Sequence, residues 1–184
     1  RSNDAALTAA LVLPLVLALL AGTAIANPLV EGSVEAGQAK SATCAACHGP
    51  QGKSANPQWP SLAGQHAPYI VAQLQAYKEG TRTDPLMTAQ AQGLSEEDMR
   101  DLAVYYAAQV PAPKVVANPG TVDKGARLYR GGDPENNVAA CSACHGPAGQ
   151  GNPAAAYPLL KGQHATYTAT QLRAYASGAR KSDG

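Results

Sequence analysis

The sequence predicts an all-α protein made of two small tandem domains, and three observations support this prediction. Apolar residues recur at helical spacing in two segments, and no segment shows the alternation typical of a half-buried strand. A stretch of the chain returns about 97 residues later, which indicates an internal duplication. The 184 residues suffice for two domains. Each would be so small that a cofactor or a metal usually has to supplement its core.

Composition and charge exclude several classes of protein. Hydrophobic residues make up 45% of the chain and charged residues 15%, which excludes a highly charged, disordered chain. The formal net charge is +1 and the chain has no run of Lys or Arg. We therefore expect no nucleic-acid partner.

Residues 1–26 have the pattern of an export signal. An apolar run from Leu11 to Ala21 is followed by Ala24 and Ala26, the small residues of an A-x-A cleavage site. A retained membrane anchor is the alternative, because the 19 residues from Leu7 to Ile25 are just long enough to span a bilayer. The cleavage pattern favours removal after Ala26, and we expect a mature protein in an oxidising compartment.

The four cysteines form two copies of one motif. Four cysteines in an exported chain ordinarily suggest two disulfides, but here each pair is followed directly by a histidine. C-x-x-C-H is the attachment motif of c-type haem. Two thiols can bond to the two vinyl groups of one porphyrin, and the adjacent imidazole can supply a ring nitrogen to the iron. The residues are Cys44, Cys47 and His48 in the first copy and Cys141, Cys144 and His145 in the second.

Three other uses of these cysteines fit the sequence less well. A redox pair of the thioredoxin type needs a βαβ context, which the surrounding sequence lacks. A structural zinc site does not require a histidine after both cysteine pairs. Plain disulfides would leave both histidines as coincidences. The sequence therefore predicts two covalently bound c-type haems.

The duplication sets the domain limits. Cys44 and Cys141 are 97 residues apart, and the segment from Pro60 to His66 recurs 98 residues later as Pro158 to His164. A proline-rich segment, typical of a semi-rigid linker, separates the copies. We predict a first domain over 27–110, a linker over 111–120 and a second domain over 121–184.

Helices and loops can be assigned in chain order. Residues Glu35–Ala46 are rich in helix-forming Ala, Gln and Lys, and they predict a helix that runs into the first haem motif. Residues Gly49–Gln65 carry several Pro and Gly and predict a loop. Helical spacing predicts a helix from about Ala67 to Glu79, ended by Gly80. A capping box at Ser95–Asp98 predicts a further helix, whose apolar face comprises Met99, Leu102, Ala103 and Tyr106.

A second axial ligand must reach the first haem iron from the opposite face of the porphyrin. Met87 follows His48 by 39 residues and stands in a predicted loop outside any apolar stripe, whereas Met99 fits the core. A thioether ligand raises the reduction potential and fills the sixth coordination position. His66 and His164 compete for this role, but both occur in Gly-Gln-His at a predicted helix start. This position favours capping or packing at the haem edge over ligation.

At these residues the sequence resembles the dihaem class I cytochromes c of the c4 type, over nearly all of Val34–Gly184. The resemblance implies two haem sites, with Cys44, Cys47, His48 and Met87 serving the first haem and Cys141, Cys144 and His145 the second. By the same resemblance, the carbonyl groups of Pro60 and Pro158 orient the proximal histidine rings. Leu62 and Leu160 are then expected to pack against the haems.

The resemblance also implies a function. The family carries single electrons in the periplasm, often towards terminal oxidases, and associates peripherally with membranes. We therefore expect an electron carrier, not an enzyme, with a membrane quinol-oxidising complex as donor and a terminal oxidase as acceptor. Two alternatives remain open: the haem subunit of an oxidoreductase such as a flavocytochrome sulfide dehydrogenase, and a dihaem enzyme with an open iron site.

The sequence departs from the family pattern at its end. The position 98 residues after Met87 is 185, one past Gly184, and a second copy of the helix that begins near Ser95 is absent. We expect a truncated second domain whose distal ligand lies beyond Gly184. Otherwise His164 or an open iron site would take that place.

Charge is divided unevenly between the predicted domains. Residues 27–110 hold five Lys/Arg against eight Asp/Glu, a net charge of −3, whereas residues 111–184 hold eight against four, a net charge of +4. The small total charge thus hides a dipolar chain, whose two ends would attract partners of opposite sign.

Overall fold

The computed structural model describes residues 29–116 and 118–181, so the predicted export signal over residues 1–26 lies outside the described residues. The described part is helical, and its extended pairing is limited to the isolated bridges Asp133–Val138 and Asn152–Tyr157, which confirms the all-α prediction. The helices are α1 (Val34–Lys40), α2 (Ala42–His48), α3 (Ala67–Glu79), α4 (Pro85–Gln92), α5 (Glu96–Ala107), α6 (Val122–Gly131), α7 (Ser142–His145) and α8 (Ala165–Ala176).

The first domain is built around α5, which packs against α1 and α3, while α4 packs against α3. The crossing of α1 and α5 is close at Gly37, where an added Cβ would lie 2.1 Å from the carbonyl oxygen of Asp101. Only a glycine allows this approach. The predicted apolar face of α5 is confirmed, because Met99, Leu102, Ala103 and Tyr106 are all buried.

Two predicted helix boundaries are confirmed. Helix α3 spans the predicted residues and ends at Gly80, which adopts the left-handed conformation (φ 79°) that favours glycine. Helix α5 begins with the predicted capping box. The Ser95 hydroxyl accepts a hydrogen bond from the Asp98 N–H, and the Asp98 carboxylate accepts one from the Ser95 N–H.

The single helix predicted over Glu35–Ala46 is wrong, because the structure breaks it into α1 and α2 at Ser41. The Ser41 hydroxyl donates a 2.7 Å hydrogen bond to the carbonyl of Gln38. A hydroxyl that bonds to the preceding turn competes with the helical ladder and bends the chain. The first haem motif therefore lies on α2, separate from α1.

The loop predicted around Met87 is also wrong, because Met87 lies in the first turn of α4. Asp84 caps this helix: its carboxylate accepts hydrogen bonds from the N–H groups of Leu86 (3.0 Å) and Met87 (2.9 Å). Pro85 occupies the first helical position, where its missing N–H carries no cost.

The second domain repeats this plan over its described residues. Helix α6 precedes the second haem motif as α1 precedes the first, α7 carries the motif, and α8 corresponds to α3. Short 3₁₀ turns stand on either side of α7, at Pro134–Asn136 and Pro153–Ala155. The side chains of Asp133 and Asn152 cap these two turns.

The two domains meet through reciprocal hydrogen bonds. The side-chain amide of Gln65 donates to the carbonyl of Leu159 (3.0 Å) and accepts from the Leu159 N–H (2.8 Å). The amide of Gln163 forms the mirrored pair with Ser61, at 2.9 Å in each direction. The duplicated Gly-Gln-His segments therefore bind each other's domain and relate the two domains by an approximate twofold axis.

The first residue of the linker, Pro111, lies within this contact between the domains. Gly64 has φ +71°, and an added Cβ there would lie 2.4 Å from Cγ of Pro111. At the matching Gly162 an added Cβ would lie 3.6 Å from Cβ of Pro111. Pro111 thus lies between the two Gly-Gln-His segments, which fixes the start of the linker.

Among the described residues, none of the helices combines the length and the apolarity needed to cross a bilayer.

Candidate haem sites

The first C-x-x-C-H motif lies on α2 and directs its histidine inward. His48 is 6% exposed, and its Nδ1 lies 2.8 Å from the carbonyl oxygen of Pro60. A carbonyl can only accept, so Nδ1 carries the ring proton and Nε2 keeps its lone pair. Burial lowers the pKa of His48, which also favours the neutral ring. A neutral imidazole with a free Nε2 is the form that binds iron.

The second motif repeats this arrangement. Nδ1 of His145 lies 3.0 Å from the carbonyl oxygen of Pro158, and the ring packs edge-to-face against Tyr157 at a centroid distance of 6.0 Å. The hydrogen bonds that the family resemblance implied for both proximal histidines are therefore confirmed. His145 is more exposed to solvent than His48.

A common loop geometry positions both proline carbonyls. In the first domain the carbonyl of Gly52 accepts hydrogen bonds from the N–H groups of Leu62 (2.8 Å) and Ala63 (3.1 Å). In the second domain the carbonyl of Gly149 accepts from Leu160 (2.8 Å) and Lys161 (2.9 Å). These paired bonds hold the end of each loop close to its haem motif. The carbonyls of Pro60 and Pro158, two residues before Leu62 and Leu160, thereby reach the motif histidines.

The four motif cysteines are free thiols, not disulfides. Cys44, Cys47 and Cys141 are partly buried and Cys144 is exposed. Burial raises the pKa of the Cys44 thiol. Two thiols followed by a carbonyl-oriented imidazole are the groups that a c-type haem needs for attachment and proximal ligation, and both motifs provide them.

The two methionines occupy different environments. Met99 is 1% exposed and belongs to the core face of α5, which confirms its assignment to the core. Met87 is half-buried on α4, next to an exposed Leu86. Its thioether therefore remains the available sulfur ligand among the described residues.

His66 and His164 do not cap the helices that follow them, so that part of the sequence interpretation is wrong. Each ring instead reaches a backbone carbonyl of the other domain. Nε2 of His66 lies 2.6 Å from the carbonyl oxygen of Gln150, and Nε2 of His164 lies 2.9 Å from that of Ser54. The ammonium group of Lys114, in the linker, joins the second contact at 3.1 Å from His164 Nε2. Both rings serve the domain contact.

A cluster that the sequence analysis missed lies at the centre of the domain contact. Arg82 donates hydrogen bonds to the side-chain oxygens of Gln73 (2.6 Å), Gln171 (2.9 Å) and Tyr167 (3.0 Å). Arg180 donates to Gln171 (2.7 Å), Gln73 (2.8 Å) and Tyr69 (2.8 Å). We call Arg82, Arg180, Gln73 and Gln171 the arginine–glutamine ring, because each amide oxygen accepts from both guanidinium groups.

The ring is buried, and each of its guanidinium groups lies over one aromatic ring. Arg82 is 8% exposed and Arg180 is 6% exposed. Each guanidinium stacks on a tyrosine of its own domain, Tyr77 at 4.5 Å and Tyr175 at 4.6 Å from the ring centroid. One pattern in the sequence could have revealed this cluster: its Arg, Gln and Tyr residues recur 98 residues later in the second copy. Helical periodicity does not account for this recurrence.

Comparison with known proteins gives consistent results. The family model for cytochrome c matches residues 34–107 and again residues 122–184. Cytochrome c4 of Azotobacter vinelandii is 44% identical over 162 residues, which cover 83% of this chain and 77% of that protein. The crystal structure of reduced recombinant cytochrome c4 from Pseudomonas stutzeri superposes with a TM-score of 0.79 at 41% identity. It covers 84% of this chain and 85% of its own.

A second group of relatives has a different description. The thiosulfate dehydrogenase electron acceptor of Stutzerimonas stutzeri (strain A1501) is 41% identical over 144 residues. The match covers 76% of this chain and 66% of that protein.

Proposed function

Because the chain belongs to the cytochrome c family, as a dihaem cytochrome of the c4 type with two covalently bound haems, we propose that it is a periplasmic carrier of single electrons between respiratory complexes. In this proposal the donor is a membrane quinol-oxidising complex and the acceptor a terminal oxidase. The observation that supports it most is the duplicated motif, in which each histidine ring is oriented by a proline carbonyl.

The proposal assigns a role to each site residue. Cys44 and Cys47 bind the first haem and Cys141 and Cys144 the second, through thioether bonds. His48 and His145 are the proximal ligands and Met87 is the distal ligand of the first haem. When bound, haem supplies the reversible one-electron chemistry. The chain orients both proximal imidazoles through the two proline carbonyls. The domain limits of 27–110 and 121–184, with a linker over 111–120, are part of the proposal.

The same assignment favours a carrier over an enzyme. A thioether in the sixth coordination position leaves no open site for oxygen or peroxide. Met87 is half-buried on α4 and, unlike Met99, does not belong to the packed face of α5. Its sulfur is not committed to the core, which supports the proposed role as a haem ligand. Reactions on a bound substrate would also need acid–base groups beside the iron.

Charge supports a docking orientation. The second domain carries the net positive charge, and several of its basic residues are exposed: Lys124, Arg127, Arg130, Lys161, Arg173 and Lys181. We infer that this domain docks on an acidic surface of the acceptor, so that charge attraction speeds association. Arg180 does not belong to this surface, because it is buried in the arginine–glutamine ring.

The test is the rate of electron transfer to a terminal oxidase as a function of ionic strength. For the wild type we expect a steep fall with added salt, because salt screens exposed charges. Arg173→Glu should be slower at low salt and show a flatter profile. Lys53→Glu, the same charge change on the first domain, is the matched control and should keep the wild-type profile. A flat profile for the wild type would contradict the docking proposal.

Similarity to the thiosulfate dehydrogenase electron acceptor supports a second candidate function, in which the donor is a thiosulfate-oxidising enzyme. The carrier's chemistry would be unchanged and only the donor would differ. Stopped-flow reduction of the purified protein by such an enzyme with thiosulfate distinguishes the two. Reduction at a rate matching enzyme turnover would favour this donor, and no reduction would leave the quinol-oxidising complex as the proposed donor.

A further inference from the structure

Tyr106, on α5, buries a hydroxyl group that the fold leaves without a partner. The residue is 2% exposed, and its oxygen is one of three buried side-chain polar atoms without a hydrogen-bond partner of ordinary geometry among the described residues. A buried hydroxyl without a partner is costly, because it has lost its hydrogen bonds to water. Such an atom indicates a contact that the protein chain alone does not complete.

The ring of Tyr106 is fixed in this position. At Gly52, in the loop after the first haem motif, an added Cβ would lie 2.8 Å from Cδ1 of Tyr106. The backbone carbonyl of Tyr106 accepts a 2.8 Å hydrogen bond from the Gly64 N–H, and the Tyr105 ring packs against it edge-on at 5.0 Å. The hydroxyl therefore cannot swing out to water without repacking the core.

Cys44 is the haem-attachment residue that lies against this side chain. It packs against the core cluster that contains Tyr106, Tyr105 and Leu102. The contact also appears in the acid–base behaviour of both groups. Burial and then Cys44 raise the pKa of Tyr106, whereas the Tyr106 hydroxyl partly offsets the effect of burial on the pKa of Cys44. The two groups are thus polar neighbours inside an apolar core.

We propose that, in the haem-bearing protein, the Tyr106 hydroxyl donates a hydrogen bond to the sulfur of Cys44 and thereby tunes the first haem. A free thiol can either donate or accept, but a thioether sulfur has no proton and can only accept. Attachment of haem to Cys44, which is part of the proposed function, therefore fixes the direction of the bond. The buried hydroxyl gains the partner that it lacks.

Over its described residues, the second domain places other tyrosines near its cysteines. The hydroxyl of Tyr129, which lies near Cys141, donates a 2.5 Å hydrogen bond to the carbonyl of Gly146. The tyrosine that interacts with Cys144 is Tyr157, which is 42% exposed. An exposed hydroxyl such as that of Tyr157 can form hydrogen bonds with water whether or not it bonds to the sulfur of Cys144. Among the described residues, Tyr106 is therefore the tyrosine whose buried hydroxyl lies beside a motif cysteine without a hydrogen bond of ordinary geometry.

The effect has a definite sign. A hydrogen bond to the thioether sulfur withdraws electron density from the attached porphyrin. Lower electron density at the porphyrin favours ferrous over ferric iron, and hydrogen bonds around the ligand set are one of the ways in which a protein adjusts haem potential. Tyr106 should therefore raise the reduction potential of the first haem and leave that of the second unchanged.

The experiment compares Tyr106→Phe with Tyr105→Phe in the full haem-bearing protein. Each variant removes one hydroxyl from a buried aromatic ring of α5. The two reduction potentials are measured by spectroelectrochemical titration, with each haem identified from its methyl resonances by NMR. We expect Tyr106→Phe to lower the potential of the first haem alone, and Tyr105→Phe to change neither potential. The methyl resonances nearest the Cys44 thioether should shift in Tyr106→Phe only.

Three results would overturn the proposal. One is an unchanged first-haem potential in Tyr106→Phe, and another is an equal shift in Tyr105→Phe. The third is a Tyr106→Phe protein that lacks its first haem while Tyr105→Phe retains both, since the hydroxyl would then act during attachment. None of these results depends on the donor or acceptor protein, so the test is independent of the proposed physiological role.

Discussion

Under the proposed ligand assignment, the redox behaviour of the first haem depends most on the side chain of Met87. It lies in the first turn of α4, held there by the Asp84 cap and the proline at the first helical position. Such a cap stabilises the start of a helix. Because Asp84 accepts a hydrogen bond from the Met87 N–H itself, the cap helps to fix where the sulfur lies.

Replacing Met87 by alanine should remove its share of the far-red sulfur-to-iron charge-transfer band of the oxidised protein. We also expect the first haem potential to fall by on the order of 0.1 V, because axial ligands account for a span of roughly 0.8 V. Met99→Leu is the control, since it changes a buried core methionine of similar volume. An unchanged band and potential in Met87→Ala would show that another residue is the distal ligand.

At the residue scale the sequence identified the haem-attachment motifs, whereas it did not predict the contacts around them. The motif cysteines and histidines follow from spacing alone, because the porphyrin imposes it. The contacts of His66 could not be predicted, since its partner, the carbonyl of Gln150, is 84 residues away and belongs to the other domain. A histidine before a helix is compatible with capping. Whether its ring caps the helix or contacts the other domain depends on how the two domains are arranged.

Helix boundaries could also be predicted only where the local sequence determines them. Helix α3 was predicted at both ends, because its apolar periodicity is regular and Gly80 supplies the terminator. Helix α4 was missed because its eight residues have no broad apolar face, although Asp84 and Pro85 are a standard start signal. The break at Ser41 depends on one side-chain hydrogen bond within a segment of good helix formers.

The crossing of α1 and α5 gives a prediction at the element scale. Gly37→Ala should destabilise the first domain by about 1–3 kcal/mol, because the added methyl group would overlap the Asp101 carbonyl and the crossing would have to open. Gly93, at the end of α4, has φ −78°, and an added Cβ there would meet only the carbonyl oxygen of Gln90, at 3.9 Å. Gly93→Ala should therefore be neutral or stabilising by up to about 1 kcal/mol.

Denaturant unfolding followed by the absorbance of the haems measures both changes. The close packing of the crossing would be contradicted if Gly37→Ala and Gly93→Ala had the same midpoint as the wild type.

At the scale of the whole molecule, the arginine–glutamine ring joins the domains. Arg82→Met keeps a long apolar side chain but removes hydrogen bonds to Gln73, Gln171 and Tyr167. We expect a loss of about 2–4 kcal/mol, because three hydrogen bonds from a buried charged group are lost and Gln73 and Gln171 each keep only the bond from Arg180. The two domains should then unfold in separate steps, each reported by its own haem.

Arg127→Met is the control for the loss of a positive charge, because Arg127 is exposed on the second domain. It should leave the unfolding curve unchanged. A single transition at the wild-type midpoint in Arg82→Met would mean that the ring does not hold the domains together.

The domain contact also marks the limit of what could be predicted. The duplication predicted two domains of one design, and the structure agrees. It did not predict their orientation, because the reciprocal bonds of Gln65 and Gln163 depend on side chains from both copies meeting across the axis. Polar residues that recur in both copies but do not belong to either core could have indicated the surface where the two domains meet.

A redox titration of the intact haem-bearing protein tests most directly whether the chain carries single electrons on two centres. Coulometric reduction should take up two electrons per molecule, in two steps of one electron each. A variant with Cys141→Ser and Cys144→Ser should take up one electron, at the potential of the first haem. Uptake of one electron by the unaltered protein, or of two electrons in one concerted step, would contradict a dihaem carrier of single electrons.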